Sequence, residues 1–142
     1  MDTYNLQRFI DAQDSIFQQA CAELRAGQKR SHWMWFVFPQ VKGLGRSEMA
    51  RTFAIASLEE AKAYLDHPVL GERLRACTRL VNAVQGRSIG QIFGYPDDMK
   101  FHSSLTLFSC AAPEDQVFGD GLRKYFNGEL DALTLKCLGL SA

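Results

Sequence analysis

The stretch SLEEAKAYLDHPVLGERLRACTRLVNAVQG, Ser57–Gly86, decides the fold. Ser57 followed by Glu60 reads as a capping box, in which each side chain satisfies a backbone N–H left without a partner at a helix start. The segment Leu58–Asp66 then follows as a helix. Pro68 suits the first position of another, where an N–H has no intrahelical acceptor. Beyond it Leu70, Leu74, Cys77, Val81 and Val84 recur three or four residues apart, one face of a helix, until Gly86 ends the run.

The same pattern extends in both directions. Towards the N-terminus, Asn5 is placed to cap a short first helix, and Ile16, Phe17, Ala20, Cys21 and Leu24 fall at helical spacing before Gly27. Towards the C-terminus, Ser88 caps a short turn through Ile92, closed by Gly94-Tyr95-Pro96. Asp97 is an N-cap candidate for a helix carrying Leu105 and Phe108. Pro113 opens a helix with Phe118, Leu122, Tyr125 and Phe126, stopped by Asn127-Gly128, and Asp131 caps the last, which contains Leu133, Leu135 and Leu138. No sustained two-residue alternation bounded by hairpin turns occurs; Trp33–Phe38 is the one strand-like stretch. The expected fold is all-α, a single compact multi-helix domain over residues 1–142, with at most a short strand-like segment near 33–38. Its expected core contains Ile16, Phe17, Leu24, Leu70, Leu74, Val81, Leu105, Phe108 and Leu122.

Composition narrows the function classes. Sixteen Lys+Arg balance sixteen Asp+Glu, so no bulk field draws the chain to nucleic acid or an anionic membrane. The N-terminus lacks the basic start and apolar run of a signal peptide. The longest apolar stretch, Trp33–Pro39, is far below the roughly 20 residues that span a bilayer. Cys21, Cys77, Cys110 and Cys137 are widely separated, without metal-ligand spacing, and read as free core thiols in a reducing cytosol. No metal or cofactor is expected, and the expected location is cytoplasmic.

Chemistry concentrates in two segments, Gln28–Ser47 and Phe93–Ser104. Leu24–Ser47 holds Arg25, Lys29, Arg30, Lys42 and Arg46 with no Asp or Glu, a local positive patch in a neutral chain. It is interleaved with His32, Trp33, Trp35, Phe36 and Phe38, which suit either base stacking beside phosphate or an aromatic core segment inside a basic rim. Gly43-Leu44-Gly45-Arg46-Ser47 precedes a helical-looking Glu48–Phe53. It is either an anion-binding turn, with Arg46 adding a phosphate contact, or a plain turn capped by Ser47. In the second segment Asp97, Asp98, Lys100, His102, Ser103 and Ser104 crowd beside a Gly/Pro turn, as a pocket wall or as helix-starting acids. Gln40, Asp98, Lys100 and His102 are expected to share one pocket with the Trp33–Gln40 stretch, and Lys29 to face the same cavity as Arg46.

The motifs KRSHWMWFVFPQVKGLGRSEMA (Lys29–Ala50), SLEEAKAYLDHPVLGERL (Ser57–Leu74) and IFGYPDDMKFHSSLTLF (Ile92–Phe108) resemble the bacterial domain-of-unknown-function family often labelled calpastatin-like. The resemblance runs from about Leu6 to Leu138 and implies a small, largely helical domain. A more remote resemblance is to NADAR domains, helical proteins associated with NAD and ADP-ribose that cleave N-glycosidic bonds, with Ser47-Glu48 and Lys100-Phe101 as counterparts. It implies an oxocarbenium-like reaction served by a carboxylate and an acid. Asp98, Lys100 and Glu48 would be catalytic. Lys29, His32, Trp33, Trp35, Gln40, Gly43, Gly45, Arg46, Ser47 and His102 would bind a nucleotide or ADP-ribose-like ligand. The competing expectation is a non-catalytic protein-interaction module that presents the aromatic segment 32–38.

Overall fold

A computed structural model, which describes residues 2–140, places ten helices among them. They are α1 (Gln7–Gln13), α2 (Phe17–Arg25), α3 (Met34–Val37), α4 (Glu48–Thr52), α5 (Leu58–Asp66), α6 (Leu70–Ala83), α7 (Ile89–Phe93), α8 (Asp97–Ala111), α9 (Gln116–Phe126) and α10 (Ala132–Leu138). The described residues contain no strand, and no helix long and apolar enough to cross a membrane.

Helix α8 is the axis of the molecule. Phe101, Ser103, Ser104, Leu105, Thr106, Leu107, Phe108 and Ala111 are all buried, so its apolar residues are not confined to one stripe. A helix buried on several faces must be covered on several faces, and α5, α7, α9 and α10 pack against it. A second layer forms where α6 meets α2, α5 and α9. The expected core positions from Leu24 to Leu122 are buried, while Ile16 and Phe17 are half-buried against that core.

Short helices are marginal by propensity alone, and here polar staples join them. Arg8 on α1 donates to Thr52 O (2.8 Å), Ala54 O (2.9 Å) and Tyr4 O (2.7 Å), and pairs with Glu60 at 3.0 Å. Buried Gln13 donates to Phe36 O (2.6 Å) and lies 3.1 Å from the Tyr64 hydroxyl. These bonds hold α1 against α3 and α5.

Several starts and stops differ in detail from the linear reading. Trp33–Phe38 is not strand-like: Met34–Val37 forms a helical turn with Met34, Phe36 and Val37 inside. Aromatic residues favour strands only where a pleated partner exists, and the nearest thing to one is an isolated parallel bridge, Val41 to Ile55. Asn5 does not cap α1; it takes a left-handed conformation (φ 52°), and the Asp2 carboxylate accepts from Leu6 N (2.7 Å) and Gln7 N (2.9 Å). Pro68 lies outside α6; the N–H groups of its cap residue Val69 and its first residue Leu70 go to His67 Nδ1 at 3.1 and 3.3 Å. Asp97 lies inside the first turn of α8, with Pro96 at the cap, and α9 begins at Gln116 beyond the Pro113 turn. Ser57 caps α5 from Glu60 N (3.1 Å), while Glu60 reaches Ala56 N (3.0 Å) rather than the cap residue.

Gly71 marks where α6 crosses the end of α5. A Cβ there would lie 2.0 Å from Leu65 O and 2.9 Å from Leu65 C, both backbone. Gly71→Ala is expected to destabilise the protein by about 2 kcal/mol or more, the cost of overpacking against atoms that cannot rotate away. Gly90→Ala in α7, where the nearest contact would be Ser88 Oγ at 3.8 Å, should be neutral or slightly stabilising. Urea midpoints of the two variants check this; equal effects would refute the crowding at Gly71.

Candidate functional site

The site begins at Glu23, near the end of α2. Its carboxylate is buried and collects the donors of the following loop. Oε1 accepts from Arg30 N (2.7 Å), Ser31 N (3.0 Å) and Trp33 Nε1 (3.0 Å), and Oε2 accepts from Gln19 Nε2 (3.1 Å) and the Ser31 hydroxyl. Burial by itself would raise this carboxyl; hydrogen bonds from Ser31, Arg30 N, Gln19 and Trp33 outweigh it and bring Glu23 down to about 2.

That fixed loop delivers Lys29. Its N–H donates to Ile92 O (2.7 Å), its ammonium lies 5.1 Å above the Trp33 ring, and Nζ is 2.8 Å from Asp97 Oδ2. Lys100, one turn into α8, lies 3.6 Å from Asp97 Oδ1 and 5.3 Å above the Trp35 ring. One carboxylate at a helix start, where negative charge is favoured, therefore sits between two ammonium groups, each over an indole. Phe38 closes the junction, edge-on to Phe93 (5.9 Å) and Phe101 (5.0 Å).

In front of this junction opens a cleft of about 240 Å³. Gln40, Leu44 and Gly45 form one wall, Tyr95, Pro96, Met99, Lys100 and Ser103 another, and Asp131 and Leu133 from the start of α10 the third. Ser103 Oγ is 3.2 Å from Asp131 Oδ2, which also accepts from Thr134 N (3.0 Å) and Thr134 Oγ1 (2.6 Å). Tyr95 and Met99, four residues apart on α8 and its lead-in, stand exposed on the rim.

Of the residues singled out in sequence, Gln40, Gly45 and Lys100 line this cleft. Trp33 is fully buried and offers no face to a ligand; Trp35 is half-buried beneath Lys100. Phe36 and Phe38 are core, so segment 32–38 presents no aromatic docking surface. Lys29 does not share a cavity with Arg46: it is committed to Asp97, and Arg46 is exposed elsewhere. His102 turns to α9, stacked on Phe126 at 4.0 Å and donating from Nε2 to Glu129 O at 2.8 Å. Asp98 lies outside the cleft, its Oδ1 accepting from Met99 N (2.9 Å), and Glu48 is exposed on α4.

The Gly43–Ser47 turn has a structural explanation. Gly43 has φ 107°, and a Cβ on Gly45 would lie 2.5 Å from Ala50 Cβ. Ser47 caps α4 by accepting from Ala50 N (3.1 Å). The cavity beneath the turn, about 60 Å³, has room for about two waters and no nucleotide.

In the linear sequence Asp131 reads only as a helix cap, and nothing marks Tyr95 or Met99 as facing a cleft except a helical spacing that leaves two large apolar side chains with no buried partner. A wider groove of about 760 Å³ runs between α5 and the α8–α9 connection, but its Arg75 and Asp115 pair with each other at 2.5 Å. None of the candidate residues lines it. Among the described residues no group of three or more His, Cys, Asp or Glu side chains is placed to hold a metal.

Fold and cleft together define an all-α domain whose polar groups converge on an open, largely apolar cleft at the N-terminal end of its central helix. The chain belongs to the family described as protein of unknown function (DUF1810), whose model matches residues 3–138. It is 53% identical to the conserved hypothetical protein Rv1873 from Mycobacterium tuberculosis, whose crystal structure it matches with a TM-score of 0.96 over 99% of this chain and 100% of that one. No curated protein matches the chain at a significant level. Neither the family description nor the neighbour's name mentions calpastatin or NADAR.

Glu23 sets a pH dependence. Its carboxyl is lower folded than unfolded, so the stability it contributes is fully present above its usual value of 4.5 and is lost as pH falls towards about 2. The size is on the order of 3 kcal/mol. Glu23→Gln is expected to be less stable than the parent at pH 7 and to lose less on acidification from pH 5 to pH 2. Chemical denaturation across that range measures both slopes; parallel slopes would rule out the carboxylate as the organiser of the loop.

Proposed function

We propose that the cleft binds a nucleoside- or ADP-ribose-like small molecule. The observation that carries this reading is the meeting of a half-buried ammonium, Lys100, with an amide, Gln40, a hydroxyl, Ser103, and a carboxylate, Asp131, against apolar walls. Ligand sites are concave, mostly apolar and furnished with a few convergent polar groups. Lys100 is suited to a phosphate, Asp131 to ribose hydroxyls and the rim side chain of Tyr95 to a base face. About 240 Å³ lies below the usual 300–1,000 Å³ of ligand pockets. A mononucleotide, or one end of a longer ligand lying across Tyr95, is therefore favoured over a fully enclosed dinucleotide.

Binding is better supported than N-glycosidic hydrolysis. Glycoside cleavage ordinarily uses two carboxyl groups flanking the bond, and the cleft supplies one, Asp131, while Asp98 and Glu48 lie outside it. The exposed Tyr95 (82%), Met99 (54%) and Leu133 (60%) favour a second reading, in which the same rim receives an apolar side chain of a protein partner. This surface replaces the buried aromatic segment 32–38.

Thermal shift with AMP, ADP-ribose and ribose 5-phosphate tests the proposal. A ligand at about a hundred times its Kd adds about 2.7 kcal/mol, a rise of several degrees in Tm for a domain of this size. Lys100→Ala should weaken that ligand at least about tenfold, the loss of one charge-assisted hydrogen bond. Asp98→Asn should leave it unchanged, and chromatography should find no free base. No shift with any member of the class, or equal affinity for Lys100→Ala, overturns the assignment; release of base would restore hydrolysis.

A further inference from the structure

Helices α2 and α6 lie side by side and run the same way. At one end the Arg73 guanidinium covers the Phe17 ring at 4.9 Å, and Arg73 also reaches Asp14 at 2.9 Å. At the other, Arg87 Nε donates to Gly27 O (2.8 Å), and a Cβ on Gly27 would lie 3.2 Å from Val84 Cγ1. The register that sets Phe17 against Arg73 sets Cys21, one turn on, against Cys77, one turn on. Contacts a turn or two to either side therefore place Cys21 and Cys77 facing each other across the interface. Cys77 is completely buried and Cys21 half-buried, reached from solvent beside Arg25 and Arg73.

We propose that Cys21 and Cys77 form a peroxide-oxidisable dithiol, with Cys21 the attacking thiolate, Cys77 the resolving thiol, and a disulfide joining α2 to α6 as the product. Each requirement is met by a different feature. A reactive cysteine needs partial exposure and a positive setting. The Cys77 thiol opposite it, against the opposing effect of burial and with Arg25 and Arg73 adding, lowers the Cys21 thiol from its ordinary value. Cys77 is pushed the other way, first by Cys21 and then by burial, so it keeps its proton. An exposed thiol without a neighbour oxidises onward, whereas a resolving thiol in contact diverts the sulfenic acid to a disulfide. Two small side chains facing each other on adjacent helices also permit the Cα approach of about 4.4–6.8 Å that a disulfide needs. Cys110 and Cys137 have no such partner among the described residues.

The chemistry balances. The Cys21 thiolate attacks one oxygen of hydrogen peroxide, the O–O bond breaks, and hydroxide leaves, giving a Cys21 sulfenic acid. The Cys77 sulfur then attacks the Cys21 sulfur, hydroxide is displaced, and the Cys77 proton is taken up, so that two waters form for each peroxide reduced and two thiols oxidised. Because α2 runs directly into the loop carrying Lys29, the crosslink would tether the base of that loop to α6.

The test uses the full-length reduced protein and hydrogen peroxide. Two of the four thiols should disappear from a thiol titration, the intact mass should fall by about 2 Da for one disulfide, and peptide mapping should join the Cys21 and Cys77 peptides. In Cys77→Ser, Cys21 should instead be trapped as a sulfenic acid by dimedone, and in Cys21→Ser the Cys77 thiol should survive peroxide. The wild-type peptide map needs no variant, so a variant that fails to fold leaves the outcome decisive. A wild-type protein that keeps both thiols, or that crosslinks through Cys110 or Cys137, overturns the proposal.

Discussion

The buried carboxylate of Glu23 is the constraint from which the rest of the candidate site follows. A charge removed from water is costly unless its acceptor sites are filled, and here backbone donors of Arg30 and Ser31, side chains of Gln19 and Ser31, and the Trp33 indole fill them. The loop after α2 consequently has one favoured path. That path buries Trp33, brings Lys29 against it, and aims the ammonium at Asp97 on the far side of the chain. A single polar hub thereby ties α2 to the start of the central helix.

The same device recurs at smaller scale. Arg8 with Glu60, and Gln13 with Phe36 O and Tyr64, use buried or half-buried polar groups to hold helices of four to nine residues that would not persist alone. The aromatic cluster of Phe38, Phe93 and Phe101 supplies the apolar contact, and the polar staples give it direction. Buried hydrogen bonds are directional where apolar contact is not, which suits a fold whose segments are short and irregularly angled.

The basic segment Leu24–Ser47 illustrates how charge is resolved in three dimensions. It contains no acid, yet Lys29 has one at 2.8 Å, contributed by Asp97. A cation with no acid nearby in the chain is therefore not an unpaired cation, and the positive patch is smaller than composition suggests. Lys100 has a longer contact to the same carboxylate, 3.6 Å, and a place on the cleft wall. The glycines of the 43–45 turn answer to backbone conformation and to Ala50.

The helical architecture was legible in the chain because helix formation is a local matter. Spacings such as Leu70–Leu74–Cys77–Val81 and stops such as Gly27 and Asn127-Gly128 act within a few residues, and the cap serines 57 and 88 do what their positions imply. The participation of Gln40 and Lys100 in one cleft followed from polar residues concentrated beside aromatics and turns. What linear order did not carry was every decision requiring a second segment. The turn at Met34–Val37 became helical and Trp33 was buried because Glu23 and the core claimed its surroundings, His102 turned away because Phe126 and Glu129 O were there to receive it, and Asp131 entered the cleft because α10 packs on α8. Local spacing specifies which face of a helix is apolar; only packing decides what that face meets, and the candidate site is assembled from such meetings.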